Sequence, residues 1–424
     1  MSDYFKLTKD GLGEEFSQVK AAYEKLRSLH LSLDMSRGKP GFDNMDLSEK
    51  MFDLVGNSTG FKNISGIDCR NYGGLDGLAE LKNLFAEILG LESDQIIVGG
   101  NSSLNMMFDT ITQGMVSGFG DKPWLLQGKI KFLCPSPGYD RHFSICEHYG
   151  IEMITVKYNS DGPDMDEVER LVKDSAVKGM WCVPKYSNPL GLTYSDEVVR
   201  RIAALKPAAK DFRIMWDNAY LIHDLYDETD KLLNIYDECK KCGNEDMVFI
   251  FTSTSKVTYP GAGVAVQAAS DSNIALIKKR MAVQTIGPDK MNHLAHARMF
   301  DSADKLYSHM QKHAAVMRPK FDACLRTFQA ELENTGVASW TSPRGGYFIS
   351  MTVLKGCAKR VYELCKEAGL VLTPAGATYP YGNDPDDSNL RIAPSFPTVE
   401  ELEKAAEVLC IAVKYAALEK LIKQ

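Results

Sequence analysis

The sequence has no apolar run approaching the roughly 20 residues that a membrane-crossing helix requires. Its first residues, MSDYFKLTKDGLGEEF, lack the basic start and apolar core of a secretory signal. There is no internal repeat and no low-complexity tract. Basic residues are outnumbered, with 49 Lys and Arg against 56 Asp and Glu and a net charge of -7, which argues against a partner that presents a phosphate backbone. The ten cysteines form no spaced framework. Several lie inside apolar runs such as FLCP and MWCVP, the pattern of reduced core cysteine in a cytoplasmic protein. CKKC (Cys239, Cys242) has redox or zinc spacing without a second Cys or His pair nearby, and HLAH (His293, His296) lacks a third ligand. No G-x-G-x-x-G follows the first strand-like run, which excludes a nicotinamide-dinucleotide fold of the usual kind. The expectations are therefore no metal, no nucleic acid and no membrane.

What is present is an ordinary globular composition, 44% hydrophobic and 25% charged over 424 residues, enough for two or three domains. Residues 14–30 place Phe16, Val19, Tyr23 and Leu26 on one helical face, and residues 77–90 do the same with Leu78, Leu81, Phe85 and Leu89. From 95 to about 270, seven short apolar runs alternate with amphipathic helices: QIIVGG, KIKFLCP, IEMITVKY, GMWCVP, FRIMWD, MVFIFTS and GVAVQAA. That alternation predicts an α/β fold, a mainly parallel seven-stranded sheet covered by helices on both faces. After 288 the chain turns helical, then gives strands at SWTSPRGGYFISMTV and NLRIAPS and a terminal helix. The expected division is a large domain over 51–288 and a smaller α+β domain from both chain ends, 1–50 and 289–424.

Ligands of open α/β sheets bind beyond the carboxyl ends of the strands, so the polar residues that follow each run matter most. They are Asn101, Ser102 and Ser103 opening a helix, Tyr139 on a Pro/Gly turn, Asn188 before Pro189, Asp217 with Tyr220 close behind, and TSTSK ending at Lys256. Taken singly, each has an ordinary reading as a cap, turn or packing residue. Together they put an anion cradle, an aromatic plate, a carboxylate, a phenol and an amine on one rim. Pyridoxal 5'-phosphate, with its phosphate, flat ring, ring nitrogen, phenolic oxygen and aldehyde, uses all of them.

With those residues assembled, the sequence resembles the class I aminotransferases of pyridoxal-phosphate fold type I. SNPLG, DNAY, STSK and NLRIAPS carry the likeness, in that order. SRGKP, RNYGGLDG, GGNSSLNMM and SKVTYPGAGVAV resemble an atypical bacterial aspartate aminotransferase subgroup. The resemblance implies that Lys256 bonds the cofactor and moves the substrate proton, that Asp217 pairs with the ring nitrogen, and that Tyr220 and Asn188 hold the ring oxygen. It also implies Tyr139 stacked on the ring, a phosphate held by Ser102, Ser103, Ser253 and Ser255 with Tyr72 from a second subunit, and Arg391 on the substrate α-carboxylate. Gly38 would allow tight closure over substrate, and Arg37, with Arg141 as the other candidate, would take a distal carboxylate. The implied partners are amino-acid and 2-oxo-acid substrates and a second copy of the chain. One departure stands out: the family's phosphate-binding arginine eight residues beyond the lysine is Val264 here. His223 is either a neighbour of Asp217 or a structural histidine. The expected function is transamination of aspartate or glutamate. Transamination of neutral or aromatic amino acids, or C–S lysis, is the alternative on the same fold. A regulator with an aminotransferase-like domain is disfavoured by the acidic charge and by the short stretch before the family-like region.

Overall fold

All seven apolar runs become strands of one sheet. A computed structural model describes residues 3–423. The chain begins with α1 (Lys9–Arg27), β1 (Leu33–Asp34), α2 (Phe42–Asp46) and α3 (Ala79–Leu89). The alternating region follows as β2 (Ile96–Val98), α4 (Ser103–Val116), β3 (Lys131–Ser136), α5 (Asp140–Tyr149), β4 (Glu152–Asn159), β5 (Gly162–Pro163), α6 (Met165–Leu171) and β6 (Val177–Cys182). It continues with α7 (Asp196–Ala203), β7 (Arg213–Asp217), α8 (Ile235–Lys241), β8 (Val248–Ser253) and β9 (Ala265–Ala269). The last third holds α9 (Asp271–Gln284), α10 (Lys290–Met299), α11 (Ala303–Leu332), β10 (Ala338–Trp340), β11 (Ile349–Val353), α12 (Ala358–Glu367), β12 (Leu370–Val371), β13 (Asn389–Ile392) and α13 (Val399–Leu421).

The large sheet has eight strands in the order β2-β9-β8-β7-β6-β3-β4-β5. The eighth strand, beyond the seven expected, is β5, a two-residue return antiparallel to β4; it is too short to leave a periodic signal. The neighbours β4, β3, β6, β7 and β8 run parallel. Strand β9 is antiparallel to both β8 and β2, so β2 points the same way as β8. The carboxyl ends of β2, β3, β6, β7 and β8 therefore open on one rim. The chain leaves β3 in both directions, first to β4 and later to β6, which makes the gap between β3 and β6 the switch point where such sheets bind ligands. Strands β6 and β7 are buried at every residue, as expected under helices on both faces.

The run SWTSPRGGYFISMTV is two strands rather than one. Pro343, Gly345 and Gly346 turn the chain between β10 and β11, which pair antiparallel and continue into β13. A second core joins both chain ends: Leu12, Val19, Tyr23 and Leu26 of α1 pack with Leu402, Leu409, Val413 and Ala416 of α13 and with Phe321 and Phe328 of α11. The start of α11 belongs elsewhere, since Ala303, Leu306 and Met310 pack with the core of the large sheet. The long helix thus bridges both cores, and the change to a helical pattern after 288 precedes the change of core.

Tyr23 ties α1 to α12 by donating its hydroxyl to the Leu364 carbonyl at 3.0 Å, beside the Glu367 carboxylate at 3.1 Å. Tyr23→Phe is expected to lower stability by about 1 kcal/mol, the usual net worth of one buried hydrogen bond, read as an earlier urea midpoint at unchanged slope.

Candidate active site

A cavity of about 380 Å³ lies at the rim. It is bordered by twelve of the thirteen residues expected there: Arg37, Gly38, Ser102, Ser103, Tyr139, Asn188, Asp217, Tyr220, Ser253, Ser255, Lys256 and Arg391. Tyr72 is the exception; it is 81% exposed on this chain, beside Ile286 and Lys290.

Lys256 follows β8 in a loop held from below. His296 donates Nδ1–H to the Asn292 carbonyl at 2.9 Å, which leaves Nε2 to accept from the Thr254 and Thr258 hydroxyls at 3.1 and 2.9 Å. His309 donates Nε2–H to the Val257 carbonyl at 2.8 Å. The Lys256 amine makes no hydrogen bond among the described residues and stands 5.1 Å from the Tyr220 ring and 5.7 Å from that of Tyr347. The protein packed around it pushes its pKa below the ordinary lysine value, and the Asp217 charge opposes that shift.

Asp217 closes β7 at 3% exposure. Its Oδ2 accepts from His142 Nε2 at 2.9 Å, and its buried Oδ1 has no partner among the described residues. His142 is itself fixed, stacked on Trp181 with ring centres 4.2 Å apart and edge-on to Tyr139 at 5.0 Å. Burial raises the Tyr220 phenol well above its ordinary pKa, and the same cause lifts Tyr139 to about 12. Both therefore stay neutral, and Tyr220 can donate.

On the far strand β13, Arg391 donates Nε–H to Thr373 Oγ1 at 3.2 Å, and Nη1 to Asp140 Oδ1 at 2.9 Å and Asn188 Oδ1 at 3.4 Å. Its guanidinium lies 5.0 Å from the Phe348 ring centre. The same ring explains Gly38, where a Cβ would come within 2.3 Å of Phe348 Cζ; only glycine lets that loop lie on the ring. Helix α4 starts without a side-chain cap from Ser102, so its first N–H groups and the hydroxyls of Ser102 and Ser103 remain available to an anion. Ser253 and Ser255 are linked hydroxyl to hydroxyl at 3.1 Å. Val264 is fully buried, its N–H on Thr254 Oγ1 at 2.9 Å, and so carries no charge to this cradle.

The family model of aspartate amino-transferase matches residues 7–424. The chain belongs to that family. An aspartate aminotransferase of Corynebacterium glutamicum is 46% identical over 98% of this chain and 96% of its own length. The crystal structure of an aspartate transaminase from the same organism superposes with a TM-score of 0.96 at 45% identity, covering 99% of each chain. The fold is shared at 18% identity and a TM-score of 0.74, over 92% of this chain and 93% of the other, by an α-aminoadipate aminotransferase of Thermus thermophilus solved with N-(5'-phosphopyridoxyl)-L-leucine. The protein is an aminotransferase, and aminotransferases of this fold use pyridoxal phosphate.

The residues fit that cofactor. A buried carboxylate oxygen without a partner suits a protonated ring nitrogen, and an amine held below its ordinary pKa suits a nucleophile. An uncapped helix start flanked by hydroxyls suits a phosphate. Sequence reasoning left out His142, although its position three residues after Tyr139 puts both on one face of the helix start. It also left out Asp140, Phe348 and Thr373. His223 is not the neighbour of Asp217. It stands edge-on to Tyr220 and Tyr347, and burial holds its pKa well below the ordinary histidine value, keeping it neutral. The HLAH pair holds backbone and loop: His293 donates to the Gly99 carbonyl at 2.7 Å, and His296 supports the lysine loop.

The depressed pKa of Lys256 has a stability consequence in the cofactor-free protein. The unfolded chain binds the lysine proton more tightly than the folded one, so this site disfavours folding fully below the folded pKa and not at all above 10.5. Lys256→Met is expected to raise the melting temperature of the cofactor-free aminotransferase near pH 7. The gain should shrink toward zero as the pH rises to 10.5, as followed by thermal unfolding of both proteins across that range.

Proposed function

We propose that this aminotransferase exchanges the amino group between aspartate or glutamate and the 2-oxo acids oxaloacetate and 2-oxoglutarate. One observation carries the reading. Besides Arg391, the cavity is bordered by Arg37 and Arg141, and neither has a carboxylate partner among the described residues. A substrate with two carboxylates supplies what a neutral amino acid does not. The name of the Corynebacterium relative supports the same substrate class.

In this reading each residue has a separate task. Ser102, Ser103, Ser253 and Ser255, with the first N–H groups of α4, hold the phosphate. A second subunit's copy of Tyr72 completes that cradle. Tyr139 would lie against the ring, Asp217, held in place by His142, would pair with the ring nitrogen, and Tyr220 and Asn188 would hold the ring oxygen. Pyridoxal phosphate supplies the electron sink for deprotonation at the substrate Cα. Lys256 would take and return that proton as general base and acid, and the burial that lowers its pKa favours the free amine more than water does. Arg391 fixes the α-carboxylate, and Arg37, on the loop that Gly38 lets lie against Phe348, takes the distal one.

Arg37→Lys is expected to lower kcat/KM for aspartate by about 10- to 100-fold, because a planar fork matches a carboxylate better than an ammonium does, while leaving alanine nearly unchanged. Equal losses for both substrates would remove Arg37 from side-chain recognition. A wild-type preference for alanine or phenylalanine would remove the dicarboxylate reading, and pyruvate and ammonia formed without an oxo-acid acceptor would replace it with lysis.

The enzyme is proposed to work as a homodimer. Support comes from Tyr72 and from exposed apolar residues on neighbouring segments, Phe52, Ile64, Ile67 and Ile286, which a second subunit would cover. Sedimentation at micromolar concentration is expected to give twice the 47.1 kDa chain mass, and an active monomer there would contradict it.

A further inference from the structure

The arginine that grips the substrate is already engaged by the protein. Arg391 Nη1 donates to Asp140 Oδ1 at 2.9 Å. The two come from different sheets: Asp140 opens α5 after β3, and Arg391 lies on β13. The Asp140 side chain remains 33% exposed while that of Arg391 is 9% exposed, and both border the cavity. Its other hydrogen bonds among the described residues go to neutral oxygens, those of Thr373 and Asn188. Asp140 is thus the one carboxylate on it among the described residues. An arriving carboxylate and Asp140 then compete for one positive group, because two anions beside a single guanidinium repel each other. Asp140 has alternatives when it is displaced. Its position at the N-terminus of α5 favours a negative charge, and Arg141 is the next residue and has no carboxylate partner of its own among the described residues.

We propose that Asp140 is a specificity-determining residue, an internal stand-in for the substrate carboxylate that a ligand must displace from Arg391 in order to bind. The proposal rests on the assignment of Arg391 to the substrate α-carboxylate. It has a particular consequence. A ligand that brings a carboxylate to Arg391 competes with Asp140, whereas a neutral analogue does not engage the arginine and binds with the Asp140–Arg391 pair in place. Asp140 therefore weakens carboxylates selectively, which a merely structural role would not do.

The test is calorimetric binding to the holoenzyme of maleate, a dicarboxylate that carries no amine to react, and of its neutral diamide. In Asp140→Asn, maleate is expected to bind about tenfold tighter, the scale of one charge-assisted contact, with the diamide unchanged. Asp140→Glu is expected to bind maleate within about threefold of wild type, since it restores the competing charge. Arg391→Ala reports on the underlying assignment and is expected to abolish maleate binding in either background. Unchanged or weaker maleate binding by Asp140→Asn, with Arg391→Ala still abolishing it, overturns the stand-in and leaves the carboxylate site. Equal tightening of maleate and diamide also overturns it. Full maleate binding by Arg391→Ala overturns the assignment of Arg391 itself.

Discussion

The Asp217 carboxylate ends a fully buried strand at the cavity border, with one oxygen on His142 and the other buried without a partner among the described residues. A buried anion in that state is costly unless something cationic completes it. Much of the surroundings serves to hold it there. Trp181, the neighbour of Asp217's strand on β6, stacks on His142, and His142 and Tyr139 both come from the start of the helix that follows β3. The anion also acts at a distance, favouring the charged form of Lys256 while burial disfavours it. In the proposed arrangement, carboxylate and amine would be balanced by a ligand that brings a cationic ring nitrogen and an electrophile, as pyridoxal phosphate would.

Directionality of the sheet makes this convergence possible. Because β2 is turned by β9 to run with the parallel strands, five separate loops reach one rim. The small sheet then supplies the cation on β13 and the aromatic floor at Phe348 that carries both Arg391 and the Gly38 loop. The histidines His296 and His309, on α10 and α11, fix the lysine loop from the side away from the cavity. Five basic side chains at the cavity border, Arg37, Lys39, Arg141, Lys256 and Arg391, in a protein whose net charge is -7, concentrate positive potential at that rim.

The proposed phosphate cradle would absorb a departure from the family pattern. With Val264 buried and apolar at the usual arginine position, the chain offers hydroxyls and helix N–H groups instead. Such a cradle works through dipoles fixed by the backbone, so its geometry depends on where α4 begins.

Periodicity in the sequence determined the elements, and residue type at the strand ends determined the chemistry. Apolar runs buried on both faces fit a mainly parallel sheet under helices, although β9 runs antiparallel, and the polar residues that follow parallel strands gather where those strands end. That is why the gathering of Lys256, Asp217, Tyr220 and Asn188 at one cavity could be expected from the pattern of residues, while Arg391 was expected from the family resemblance. The two-residue strand β5 carries no period and was invisible, and the turn at 341–348, although marked by Pro343, Gly345 and Gly346, was read through as part of a single strand. Only the tertiary structure decided which partner each polar group takes. Asp217 chose His142 rather than His223 because helix α5, not the loop after β7, lies over that strand end, and Arg391 met Asp140 because two sheets far apart in sequence face one cavity. Pairing of this kind depends on distances between elements, and a single sequence carries the period within an element but not the distance between two.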